Sequence, residues 1–598
     1  MPDLGRSRPG LGIRSMKSST QVADDALNSS LQQVDRIVAA VSANKEKWAT
    51  TPVSRRVELL KLIREALVEN ADEWGRLASA AKGLPADSPL VGEEWTSGPW
   101  AALTAIDVLL CTLTQLDGLR FLDAMKVRTT AANQTAVQVF PTTLTDRLLL
   151  SGVSAEVWME PDVLPSNLRR FVASAYDPAR QSSVGSLSLV LGAGNITSIA
   201  PLDALYKLYA EHSVVVLKLN PVTAYLLPVF EKIFAAFIDE GVLAIVNGGT
   251  DVGVFLTGHP LVETLHITGS AASHDAIVFG TGEEGAKRKA QDIRLNNRPI
   301  TSELGAVCPT IVVPGNWTEA DIRFQAEHIA TQKLHNSGFN CVASQVLILP
   351  QDWPQAEALL SEFKKVFSSA RTRPLYYPGS SDRLAAFREH YPAALSLARD
   401  SDAPRLVAVL DGTGVHDEYA FRTEVFGPAL TVVFLPGAEP AAFLESAIDF
   451  ANTKLHGTLG ANVIIDPATE KSLGSRFEAL LTGLRYGTIA LNAWTGLGFL
   501  LAQTPWGAFP GHPVNDIQSG RGVVHNCFLF DRPQRSVVRA PFRPFPRALL
   551  HGGFAMLPRP PWFIGNRTSA TTVRKLLAFQ ARPSLFKLLG IFVSAMRG

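Results

Sequence analysis

Between residues 184 and 269 short apolar runs alternate with helix-like segments, and this alternation constrains the fold more than any other feature of the chain. SLSLVLGA is followed by PLDALYKLYAEH, then by SVVVLKL and AYLLPVFEKIFAAFIDEG, whose Leu226, Phe230, Ile233 and Phe237 form a helical stripe. VLAIV, a short helix-like segment and ETLHITG complete the series. Apolar runs joined by helices imply crossover connections, and hence a parallel sheet covered on both faces. Ligands of such sheets bind beyond the carboxyl ends of the strands. Those ends carry Asn195, Lys218, Gly248 and Gly269. A second run begins near residue 300 with TIVV, a helix through 320–335, VLILP and a helix near 355–367, which places a domain boundary close to Glu303. Upstream, residues 30 to about 125 read as helical, with Leu60, Ile63 and Leu67 on one face and Ser54 at an N-cap position.

A chain of 598 residues with 46% hydrophobic and 19% charged side chains can bury a large core in two or more domains. A net charge of +1 gives the whole molecule no general attraction for nucleic acid. Four cysteines without a CxxC pair argue against a metal site or a disulfide framework and fit a reducing, cytoplasmic location. The polar, basic residues 1–20 read as a disordered extension, and no run of about 18 apolar residues predicts a membrane span.

Several segments carry a resemblance. KLHNSGFNCVAS resembles the active-site motif of the aldehyde dehydrogenase family, with Asn336, Gly338 and Cys341 matching in order and spacing. RPITSELGAVCPTIVV resembles the family's Glu-Leu-Gly-Gly stretch, and TEVFGPALTVV its E-x-F-G-P motif. ANTKLHGTLGANV, IALNAW, TPWGAFPGHP, VVVLKLNP and HITGS match further blocks in the family's order, from about 185 to 525. The resemblance implies an α/β fold with two parallel-sheet domains, nucleotide-binding and catalytic, plus an oligomerisation extension. On that basis the chain divides into the N-terminal extension, an NAD(P)-binding domain over 21–302 with a helical N-terminal part, a catalytic domain over 303–500, a return and oligomerisation segment over 501–540 and a basic tail over 541–598. It also implies a homodimer or homotetramer. Departures are Gly194 for the usual Trp, Phe339 for Gln, Ala306 for the second Gly, Pro221 for the Glu that engages the ribose in many NAD-using members, and the insertion EEGAKRKAQDIR.

The expected chemistry is oxidation of an aldehyde with NAD or NADP. A thiolate makes the aldehyde carbon tetrahedral, so that hydride can leave. Cys341 fills that role, because a structural cysteine has no need of the NSGFNC setting. The Cys341 N–H and the Asn195 amide are the expected oxyanion donors. Glu303 matches the family's base for hydrolysing the resulting thioester, and its apolar neighbours Ile300 and Leu304 predict a position at least half buried. By resemblance, Lys218 binds adenosine-ribose hydroxyls, Glu424 the nicotinamide-ribose hydroxyls and Ser270 the pyrophosphate. Gly269 and Phe426 lie near the nicotinamide, and the strand-end Gly248 belongs to the same cofactor set. Two other readings compete: an acyl-CoA-linked reductase, which has no need of Glu303, and a catalytically silent scaffold, to which Gly194, Phe339 and Pro221 point.

The C-terminal region differs in kind. Residues 532–598 hold twelve Lys or Arg and no Asp or Glu, so residues 1–531 sum to −11 (1 − 12). Such a segment either straps onto the acidic body or lies peripherally on an anionic membrane through FKLLGIFV, which is too short to span it.

Overall fold

The computed structural model describes residues 19–180, 182–397, 404–412 and 417–598, with side chains from Ser30 onward. Most of the 1–20 extension lies outside the described residues; Ser19 and Thr20 already begin the helix Ser19–Ser42.

Two sheets organise the chain. The smaller has six strands in the order Gly520–Arg521, Ile300–Leu304, Thr264–Gly269, Leu187–Leu191, Val214–Lys218 and Leu243–Val246. Its five longer strands run parallel, and only Gly520–Arg521 is antiparallel. The expected strand–helix alternation is therefore present, with helices Ile199–Tyr209 and Thr250–Gly258 as crossovers. The stripe Leu226, Phe230, Ile233 and Phe237 is buried as expected. Its helix, however, is broken into Pro221–Leu226, Leu227–Ile233 and Ala235–Asp239. Pro228, at the first turn of the second piece, lacks the N–H a continuous helix would use.

The larger sheet has eleven strands. Its central part is parallel, in the order Pro533–Arg539, Thr488–Leu491, Gly460–Ile464, Cys308–Val312, Ser344–Pro350, Ala429–Leu435 and Leu406–Asp411. Three antiparallel strands, Lys126–Thr129, Thr135–Phe140 and Ser154–Met159, extend it from Pro533–Arg539. Residues 126–159, assigned above to the nucleotide-binding region, hydrogen-bond into the larger sheet. Of the return segment 501–540, only Pro533–Arg539 joins that sheet, while Gly520–Arg521 pairs with the smaller one. Sequence position does not report which sheet edge a strand completes.

In the helical N-terminal part, Leu60, Ile63 and Leu67 of helix Val53–Ala81 are fully buried, each worth about 1.5–3 kcal/mol. Ser54 lies inside this helix and Pro52 is the N-cap residue. A proline whose fixed φ suits the helix entrance leaves nothing there for the serine to cap. Residues Val91–Thr114 form one apolar helical run, long enough to cross a membrane by length and composition, and most of it is buried inside the fold. Cys111 is exposed on this run, whereas Cys308 and Cys527 are buried.

The tail folds back on the body. Arg543 pairs with Asp321 at 2.8 Å, joined there by Arg547, and Arg559 pairs with Glu327 at 2.9 Å. Helix Ser569–Ala581 packs on Val91–Trp95 with Gly92 at the contact, where a Cβ would overlap Ser569. Helix Leu585–Ala595 then packs on Ser569–Ala581.

Candidate active site

The carboxyl ends of the smaller sheet meet the loops that lead into strands of the larger one. Helix Glu319–Leu334 ends at His335, and Asn336, Ser337 and Gly338 follow in left-handed conformation with φ of 52°, 58° and 82°. Only glycine serves at 338, since a Cβ there would stand 2.6 Å from the Gly427 carbonyl. The two non-glycine residues cost on the order of 1–2 kcal/mol each in such a conformation, so the turn needs external support.

That support is a buried polar network. The Asn336 N–H donates to Glu93 Oε2 at 2.8 Å, and Arg373 clamps Glu93 through two bonds of 2.8 and 2.6 Å. Burial alone would raise the Glu93 carboxyl, but Arg373 and the neighbouring donors hold it at about 2. Asn336 Oδ1 accepts from Lys82 Nζ at 3.0 Å and from Tyr376 OH at 3.0 Å. Asn336 Nδ2 donates to the carbonyls of Asn195 at 3.1 Å and Phe339 at 3.0 Å. Lys82 also binds Glu94 at 2.8 Å and the Asn195 carbonyl at 2.9 Å. Asn195 Nδ2 donates to the Phe339 carbonyl at 3.0 Å, which leaves its second hydrogen available. The Cys341 N–H meets no acceptor among the described residues. Asn195 and Cys341 are thus held side by side with a free donor each.

Lys82, Glu93, Glu94, Arg373 and Tyr376 escaped the sequence reading. They lie in other parts of the chain, in no recognisable motif, and only the tertiary fold brings them to the turn. Replacing Lys82 by Met together with Glu94 by Gln removes the charge pair and leaves Asn336 Oδ1 with one donor. Turnover of an aldehyde should fall about 10- to 100-fold, the scale typical when a supporting residue behind an active group is lost. Cofactor affinity, measured by fluorescence titration, should be unchanged.

Glu303 lies on strand Ile300–Leu304 and is 3% exposed, more buried than its apolar neighbours suggested. The Cys341 thiol and the Trp506 indole approach its carboxylate, while Oε1 has no hydrogen-bond partner. Burial above all pushes Glu303 up to about 8, with the fully buried Asp203 adding to the rise. Burial, and then the Glu303 charge, push the Cys341 thiol up as well. Burial thus favours the protonated form of both groups in the free protein.

Glu424 shares the same space. Its carboxylate lies against Gly305, where any Cβ would overlap it, and its Oε1 is buried without a partner. Burial and Glu303 raise it to about 8, opposed by the buried Lys333. Ala306 beside it is tolerated because the close approach is at Gly305. The Phe426 ring lies 5.8 Å from Phe339 and 5.0 Å from Tyr377.

The other expected cofactor residues line the neighbouring strand ends. Lys218 is buried, with Nζ donating among the described residues only to the Leu219 carbonyl at 3.3 Å, and burial lowers it against the pull of Asp251. Ser270 caps helix Ala271–Val278 by accepting from the Ser273 N–H at 3.2 Å. At Gly269 a Cβ would meet only the Ile267 side chain, at 3.5 Å, so the strand end is open. Gly248 has φ 153° and packs tightly on Val252, a turn requirement in its own right. These residues suit a dinucleotide: an exposed helix N-terminus, an open glycine, a lightly used ammonium and an orphaned carboxylate.

The aldehyde dehydrogenase family profile matches residues 195–375. A coniferyl aldehyde dehydrogenase of Pseudomonas sp. is 23% identical over 361 residues, 57% of this chain and 66% of the relative. An aminoacetaldehyde dehydrogenase of Pseudomonas aeruginosa is 28% identical over 312 residues, 49% of this chain and 56% of the relative. The chain thus covers less than two thirds of either. The crystal structure of an NAD-dependent aldehyde dehydrogenase from Sinorhizobium meliloti shares the fold with a TM-score of 0.56 at 17% identity, over 85% of this chain and 86% of that one.

Over residues 195–375 the chain is similar to the aldehyde dehydrogenase family.

The likeness is divergent, and the structure gives physical reasons for two departures from the family's pattern. A side chain at Gly194 would run into Asn220, whose Oδ1 lies 2.7 Å from the site of a Cβ. That oxygen also accepts the Val222 N–H at 3.0 Å and caps the helix Pro221–Leu226. Gly194 and the Asn220–Pro221 start are therefore one linked change. Phe339 is fully buried and packs edge-on to Tyr376 at 5.1 Å, completing an aromatic cluster where the family carries an amide. The insertion forms helix Gly282–Ala290, away from the catalytic loop.

Proposed function

We propose that the protein oxidises an aldehyde to a carboxylic acid with NAD or NADP. The observation that carries this is the convergence of the Cys341 thiol, the buried Glu303 carboxylate and the Asn195 amide. As its thiolate, Cys341 attacks the aldehyde carbon. The Cys341 N–H and the free Asn195 hydrogen stabilise the resulting oxyanion. A bound nicotinamide would supply the hydride acceptor. Lys218, Ser270 and Glu424 would hold the cofactor, with Glu424 toward its nicotinamide end. Glu303 then activates water against the thioester on Cys341. A carboxylate so close to the thiol favours hydrolysis over transfer to a thiol cofactor, and a site supported by so many buried partners does not favour the silent-scaffold reading. A panel of short to long, aliphatic and aromatic aldehydes, run with each cofactor, tests this. Absence of NAD(P)H formation across the panel would refute it.

Cofactor choice follows from charges near the ribose position. Pro221 is neutral and Lys218 basic, so appreciable NADP use is expected. Asp251 beside Lys218 opposes a 2′-phosphate. Asp251→Asn should shift the kcat/KM ratio toward NADP on the order of 10-fold, about 1.4 kcal/mol. A preference for NAD near 1000-fold in the unmodified protein would count against NADP use.

A second reading concerns location. Arg543, Arg547 and Arg559 are strapped to body carboxylates. The last helix is different: Leu585 and Phe586 are 80% and 86% exposed, and Leu589, Val593 and Met596 continue their apolar face. Arg582, Lys587 and Arg597 flank it. This combination supports peripheral contact with an anionic lipid surface, at about 1 kcal/mol per basic residue. Co-sedimentation with phosphatidylserine vesicles should carry the protein down at low salt, and less so after Phe586→Glu with Leu589→Glu. Equal pelleting of the two, or none by either, removes the membrane role. Assembly into homodimers or homotetramers is part of the same proposal.

A further inference from the structure

A cavity of about 440 Å³ lies between the C-terminal helix pair and the helix Ala101–Thr114, within the range of about 300–1,000 Å³ typical of small-molecule sites. Trp100 and Val108 form one wall, Leu500 a second, and Val573, Leu576 and Phe592 of the tail the third. An apolar void of this size, left empty, forfeits dispersion contacts along its whole lining. The carboxylates on its rim are already committed. Asp107 binds Arg64 at 2.5 Å and Gln580 at 3.0 Å, and Asp146 closes the capping box of helix Leu144–Leu149. The cavity therefore offers a largely apolar interior without a free charge among the described residues.

Two of its walls are continuous with segments that contact the catalytic loop and the residues beside it. The segment Thr96–Trp100 is a π-helical turn broken at Gly98. Thr96 and Trp100 line the cavity, while the Ser97 carbonyl accepts from Ser198 Oγ at 2.6 Å and a Cβ on Gly98 would meet Thr197 Oγ1 at 2.9 Å. Thr197 and Ser198 follow Asn195 by two and three residues. On the opposite side, Leu500 belongs to helix Gly496–Leu501. Just ahead of that helix, Thr495 Oγ1 donates to the Val342 carbonyl at 3.4 Å and the Trp494 ring lies 4.4 Å from His335.

We propose that this cavity holds the alkyl chain of a long-chain aliphatic aldehyde whose carbonyl reacts at Cys341. The proposal rests on the aldehyde-oxidation reading above and names the substrate class of that site. The tail helices Ser569–Ala581 and Leu585–Ala595 then act as a specificity element of the enzyme, and not merely as a strap.

The test fills the cavity from two sides, with Val108→Trp on the body and Leu576→Trp on the tail, each checked by circular dichroism and thermal midpoint. Aldehydes from propanal to dodecanal are compared by kcat/KM. Dodecanoate, a non-reactive probe of the same chain, is titrated calorimetrically into the unmodified full-length protein and into both variants. The expected result is a fall of at least about 10-fold for dodecanal in both variants, with propanal unchanged, and loss of dodecanoate binding. Dodecanoate binding that is lost on filling, while dodecanal oxidation is unaffected, would mean the cavity holds a bystander lipid and would overturn the substrate assignment. No binding by the unmodified protein would overturn the site itself. An equal fall for propanal and dodecanal would overturn it too, because filling would then act on the reacting centre. If no aldehyde is oxidised, the oxidation reading fails, and the dodecanoate titration still reports on the cavity.

Discussion

Cys341→Ala is expected to abolish NAD(P)H formation from every aldehyde, by at least ~10,000-fold, the scale of loss when a nucleophile is deleted from a concerted site. Without the thiol there is no route to a tetrahedral centre that can release hydride. No other cysteine can substitute. Cys308 is the nearest, but it is fully buried, its Sγ points at the Cys341 carbonyl at 3.5 Å, and burial raises its thiol strongly. The alanine should leave the fold intact, because the loop is held by Asn336, Glu93 and Lys82 and not by the sulfur. Thermal midpoint and cofactor titration check this, and NAD(P)H absorbance gives the rate. Substantial residual oxidation would remove Cys341 from the mechanism.

Glu303→Gln should separate the two halves of the reaction. The glutamine is nearly isosteric, so thiol attack and hydride transfer proceed, while hydrolysis lacks its base. Stopped-flow absorbance should show a burst of NAD(P)H approaching one equivalent per site, followed by turnover slowed about 100- to 10,000-fold. The unmodified enzyme should gain activity as pH rises through about 8, where Glu303 loses its proton, and the glutamine variant should lose that limb of the profile. An unchanged steady-state rate would assign the base to another group, with Glu424 the nearest carboxylate that burial also raises to about 8.

Much of this was legible in the sequence because it is local. The alternation from SLSLVLGA to ETLHITG reports a parallel sheet through period and composition, and NSGFNC, SELG and EVFGP report a family through spacing. The parts that were not legible depend on contacts between distant segments. Nothing in residues 126–159 says that they complete the sheet of the C-terminal half, because edge pairing is decided by which strand end is left open. Lys82 carries no motif, and its role exists only because Val91–Trp95 brings Glu93 and Glu94 to the turn at Asn336. The tail's charge was visible, but charge alone does not separate Arg543 and Arg559, which meet partners on helix Glu319–Leu334, from the exposed face around Phe586. The cavity lies between segments more than 400 residues apart, Val108 and Leu576, and has no linear signature. Gly194 read as a possible sign of lost function; in the structure it makes room for Asn220.

An acyl group carried on Cys341 can be observed directly. The Glu303→Gln protein, mixed with an aldehyde and NAD and quenched in acid during the slow phase, can be measured by intact-mass spectrometry and peptide mapping. The expected result is a mass increase equal to the acyl group less one hydrogen, located on the Cys341 peptide and absent from the Cys341→Ala double variant. An NAD(P)H burst with no adduct, or an adduct on another residue, would contradict it.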